Sequence, residues 1–158
     1  MASGTASNIE TGWDIPEAAR FFERLGRFAR VIRFDRRDSG LSDPIRDDLT
    51  LEAHAADALA VMDAAGAARP VLLGGTEGAR SLAVLAATHP ERVAAFIAVS
   101  ATARGVAAAN PAAAEQFSAA LSEVADYPYS LSGLFAPTWA ADPARGEVLA
   151  RYIRSSTT

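Results

Sequence analysis

The chain has 158 residues, half of them hydrophobic, with a formal net charge of −4 and no cysteine. That is enough for one domain with a real core, and it excludes a disordered chain, a disulfide framework, a thiolate zinc site and a cysteine nucleophile. Two histidines are too few for a histidine metal cluster. Every basic side chain is Arg, which excludes a Lys-dependent phosphate loop, a Schiff base and a pyridoxal anchor, so neither metal nor cofactor is expected.

In chain order, Asp14 with Glu17 three residues later reads as a capping box for a helix running to about Gly26. Arg30-Val31-Ile32-Arg33-Phe34-Asp35 reads as a strand. Residues 38–48 are loop by composition. Thr50 caps a second helix, with Leu51, Ala55, Leu59 and Met62 on one face and Gly66 as its stop. Residues 71–73 form a short apolar strand. A third helix spans about 77–88, ended by Pro90. Residues 93–99 are another β-branched apolar run. Helices alternating with short buried strands imply an α/β class with a parallel sheet and helices on both faces. After Ala101 the chain turns Ala-rich and helical: 106–126, a break at Tyr127-Pro128-Tyr129, then pieces near 131–135 and 144–153. The expected division is a core over 1–105 and a helical lid over 106–158.

The segment Val71-Leu72-Leu73-Gly74-Gly75-Thr76-Glu77-Gly78-Ala79 carries the most chemistry. A strand stops at Gly-x-Thr-x-Gly and a helix starts at once, the layout of a nucleophile elbow. Gly74 and Gly78 leave room for the turn and for close strand–helix contact. The hydroxyl belongs to Thr76, and a β-branched residue tolerates the strained backbone of an elbow poorly. The same glycines do not fit a dinucleotide loop, whose register needs Gly at Leu73. Asp35, Arg36, Arg37 and Asp38 form a dense charge cluster, expected as a solvated loop with local ion pairs.

Trp13, the helix over 15–25, the stretch Arg33-Phe34-Asp35-Arg36-Arg37-Asp38-Ser39-Gly40-Leu41-Ser42-Asp43, the elbow and Thr88-His89-Pro90-Glu91-Arg92-Val93 together resemble an α/β-hydrolase. The resemblance is closest to hydrolase modules that precede class III nucleotide cyclase domains in some actinobacteria, and it covers the chain from about Asn8 onward. It implies a truncated α/β-hydrolase-like parallel sheet with flanking helices and a lid. It places Thr76 where the family carries its nucleophilic Ser, and the backbone N–H of Glu77 at the oxyanion position. The family loop reads Asp-x-Arg-Gly-x-Gly; here its first Gly is Asp38. In the family arrangement a strand and a His-Gly loop precede Trp13, and Met1–Asn8 is too short to supply them. No carboxylate follows 93–99 in Ser100-Ala101-Thr102-Ala103, and the family's catalytic His belongs to a later segment. His54, on a helix flank, and His89, at a helix end, are expected in surface, satisfied or capping roles.

The expected function is therefore that of a degenerate hydrolase or pseudoenzyme binding a small apolar ligand, with Trp13, Gly75, Tyr127, Phe135 and Trp139 lining its pocket. A working esterase, with Thr76 completed by other segments or a second subunit, is the alternative, and a protein-interaction module a third. In the family the missing strand lies between 30–35 and 71–73. The two must then pair directly, or another chain must fill the gap, or the sequence is a fragment of a longer polypeptide, and open sheet edges favour a homodimer. The acidic balance argues against nucleic acid. No apolar run reaches a transmembrane length, and Met1–Asn8 lacks a signal-peptide core, so a cytoplasmic protein without membrane contact is expected.

Overall fold

The computed structural model describes residues 1–2, 7–44, 49–104, 110–124 and 136–156. A 3₁₀ turn at Thr11–Asp14 leads into α1, Pro16–Gly26. The expected Asp14 cap is not used. Ile15 holds the N-cap position without a side-chain bond, and Pro16 starts the helix, where its missing N–H costs nothing. Next come α2 (Leu51–Ala64), β1 (Val71–Gly75), α3 (Thr76–Thr88) and β2 (Ala95–Val99). Thr50 caps α2 as expected, its Oγ1 accepting from the Ala53 N–H at 3.1 Å. Gly66 follows α2 at φ 62°, the left-handed geometry that closes a helix.

β1 and β2 pair in parallel, Leu73 opposite Ile97. Their connection is α3, the crossover that a parallel pair requires. One face of this pair carries the core: Leu72 is buried with Ala55, Ala58 and Met62 of α2 and with Leu82 and Leu85 of α3, and Phe96 packs against them. Period-two alternation sends Val71, Ile97 and Val99 to the other face, where each stays about half exposed.

Residues 30–35 are a correction. They are not a strand: among the described residues no strand pairs with them. They do not close up on β1 either. Met1 and Ala2 lie between the two: the Met1 amino group donates to Ile32 O at 2.7 Å, Ala2 N to Leu73 O at 3.1 Å, and Gly75 N to Ala2 O at 3.2 Å. Ala2 is buried and forms a parallel bridge with Gly74. Two residues thus satisfy part of the inner edge of β1, where unpaired backbone groups would be costly. Burial, with help from the nearby Arg33 charge, lowers the pKa of the Met1 amino group.

The later helices are α4 (Pro111–Val124), α5 (Pro137–Ala140) and α6 (Pro143–Ser156). The C-terminal end of α6 docks on the N-terminal segment: Asn8 Nδ2 donates to Ser155 O at 2.9 Å, and Gly40 N to Ser156 O at 3.3 Å. The helical piece expected near 131–135 lies outside the described residues.

Candidate functional site

Thr76 follows the last residue of β1 directly and opens α3. Its φ is 47°, a left-handed value that a β-branched residue rarely adopts. Gly74 makes the turn possible: a Cβ there would fall 2.5 Å from Ala79 Cα and 2.8 Å from Ala79 N. Strand and helix touch backbone to backbone at this point, and only glycine fits. The result is an exposed threonine on a strained turn, with Glu77 half-buried behind it in the first turn of the helix. Amides at such a helix start lack intrahelical acceptors and favour negative charge.

The charge cluster after residue 34 is not the solvated loop expected. Asp35 is 6% exposed. Its carboxylate accepts from Ser7 Oγ at 2.5 Å, Ile9 N at 3.1 Å and Leu41 N at 3.2 Å. Gly40, at φ 58°, leaves the space this needs; a Cβ there would stand 2.6 Å from Asp35 Cγ. Ser39 is buried beside it, donating to Ser7 O at 3.1 Å. Asp35 is thus the hub that joins the N-terminal segment to the loop. Sequence reading missed it, because the hub needs Ser7, distant in the chain; an Asp closing an apolar run, with Gly40 five residues on, was the available signal.

Arg37 leaves the cluster for α2, its Nε and Nη2 meeting the Asp57 carboxylate at 2.7 and 2.6 Å. Arg36 is half-buried. Burial lowers its pKa, and the Glu77 carboxylate opposes that shift. The Nε atoms of Arg36 and Arg80 are shielded from solvent and make no hydrogen bond among the described residues.

Neither histidine hydrogen-bonds the Thr76 hydroxyl among the described residues. His89 is the C-cap residue of α3, its Nδ1 2.9 Å from Thr88 Oγ1. A helix of 13 residues separates it from Thr76 by about 20 Å. His54 is buried on the face of α2 that carries Ala55, Ala58 and Met62.

Of the expected ligand-lining residues, Trp13, Gly75 and Trp139 are described. Trp13 stacks edge-on against Phe22 at 5.9 Å, with the Arg33 guanidinium 5.5 Å from its ring and 3.8 Å from that of Phe22. Burial lowers the Arg33 pKa. These three border a groove of about 690 Å³ between α1 and residues 29–33, whose described lining includes neither Gly75, Thr76 nor Trp139. Trp139 is half-buried and meets Arg145 of α6 at 5.1 Å. Gly75 has open space where a Cβ would stand. Tyr127 and Phe135 lie outside the described residues. No group of three or more acidic or histidine side chains able to hold a metal occurs among the described residues, and no described helix is long and apolar enough to cross a membrane.

Comparison with curated proteins returns no match. The model of the alpha/beta hydrolase fold matches residues 10–137, most of the chain. The parallel β1–β2 pair with its flanking helices agrees with that match, and the chain belongs to the alpha/beta hydrolase fold family.

Proposed function

We propose that this protein is a degenerate hydrolase that binds a small ligand at the Thr76 turn without turning it over. The observation that carries the reading is that the Thr76 hydroxyl holds no hydrogen bond to either histidine among the described residues. Thr76 is exposed and at φ 47° on the strand-to-helix turn, while His89 caps the far end of α3 and His54 is buried in α2. A hydroxyl nucleophile needs a base within hydrogen-bond reach. What remains at the turn supports binding: the helix start, where the family resemblance puts the Glu77 N–H at the oxyanion position, and the open side of Gly75. The segment over 106–158 is the lid in this reading, with Trp139 and Trp13 as its described ligand-contact candidates. The protein acts in the cytoplasm as a homodimer.

The test is hydrolysis of short p-nitrophenyl esters. The wild-type chain is expected to match a Thr76→Ala variant. Turnover that disappears in Thr76→Ala would establish the second reading, an active esterase whose base and acid come from another segment or subunit. The retained elbow geometry at Gly74 and Thr76 favours that alternative.

A further inference from the structure

We propose that the outer face of α1 is the contact between two copies of this chain, packed antiparallel about Phe21. The proposal rests on the homodimer reading above and names its surface.

α1 contributes no buried residue to the core. Ala18, Phe22 and Leu25 are half-buried, while Phe21 is 45% exposed and Phe28 is 77% exposed. Glu17, Phe21 and Arg24 are spaced four and three residues apart, so they form one stripe along the helix. The amides of Phe28 and Ala29 still bond to Leu25 O, at 3.2 and 3.0 Å, which carries the chain one turn past α1 toward Phe28. A single exposed aromatic is unremarkable on a protein surface. Two of them beyond the same helix face, framed by a carboxylate and a guanidinium, make a patch that water serves badly.

The order of charges says what covers it. Glu17 stands four residues before Phe21 and Arg24 three residues after. A second copy of α1 running in the opposite direction, with the twofold axis at Phe21, sets Phe21 beside the partner's Phe21. It sets Glu17 beside the partner's Arg24, and Arg24 beside the partner's Glu17. The same register carries Phe28 toward the partner's Trp13, which is 48% exposed. The stripe is self-complementary, as an isologous interface must be. A parallel arrangement would oppose like charges. The contact between Glu17 and Arg20, 3.5 Å apart with both side chains largely exposed, is loose enough to let Glu17 reach across.

The experiment is light scattering over a dilution series for wild type, Phe21→Ser, Arg24→Glu and the double variant Glu17→Arg/Arg24→Glu, with circular dichroism confirming that each is folded. Wild type is expected to pass from one chain mass to two as concentration rises. Phe21→Ser and Arg24→Glu should each weaken the dimer by about tenfold or more. The double variant, which exchanges the two charges in both copies, should recover most of the Arg24→Glu loss. A dimer that survives Phe21→Ser and Arg24→Glu unchanged would overturn this surface and leave the homodimer reading standing. One-chain mass at every concentration would overturn both. Loss in Arg24→Glu without recovery in the double variant would overturn the antiparallel register.

Discussion

At the scale of single residues, the Thr76 turn depends on an absent Cβ and on a tolerated strain. Gly74→Ala would drive a methyl group into the backbone of α3, at 2.5 Å from Ala79 Cα. Neither partner is a flexible side-chain end, so strand and helix must separate. The expected cost is about 2–3 kcal/mol, read as a lower urea midpoint with an unchanged slope. A stability equal to wild type would mean that β1 and α3 do not meet this closely. The Thr76 turn and the need for Gly74 were legible in the sequence, because a strand-to-helix join is set by adjacent residues. The burial of Asp35 was not. Charge density around Arg36 and Arg37 suggested solvent, and nothing near in sequence announces a partner such as Ser7, 28 positions away.

At the scale of elements, Asp35 replaces strand pairing as the anchor of residues 30–35. A carboxylate that accepts a hydroxyl and two backbone amides holds the N-terminal segment and the loop at Leu41 in one place. Removing it leaves buried donors without acceptors, each costing about 1–3 kcal/mol. Asp35→Ala is therefore expected to destabilise by about 3 kcal/mol or more, whereas Asp35→Asn, which keeps one acceptor, should lose less. Equal stabilities for the two in urea denaturation would contradict this account. α2 and α3 followed from periodicity and from the Thr50 and Gly66 signals, since both ends are set by nearby residues. The strand at 30–35 failed for the opposite reason: β structure needs a neighbour, and the apolar run alone does not supply one.

At the scale of the whole molecule, the N-terminal segment, the 35–42 loop and α6 close on one another. Tyr152 stands at this junction, half-buried; desolvation raises its pKa, and a backbone hydrogen bond from Asn8 works against that rise. The folded state thus favours the neutral phenol. Its contribution is present below the ordinary tyrosine value of about 10 and is lost as pH rises through the higher folded value. Stability measured in urea from pH 8 to 11 is expected to fall above pH 10, and less steeply in Tyr152→Phe. Identical profiles would assign the alkaline loss to other groups.

The amino-acid sequence by itself determined the α/β class, the Thr50-capped helix α2, the helix α3, the tight turn at Gly74 and the family, all of which rest on contacts within a few residues or on periodicity. Only the tertiary structure decided that Ala2 borders β1, that Asp35 is a buried hub and that Trp13 packs on Phe22 beside Arg33. Those outcomes turn on which distant segments meet, and burial, unlike helix propensity, is a property of the partner as much as of the residue.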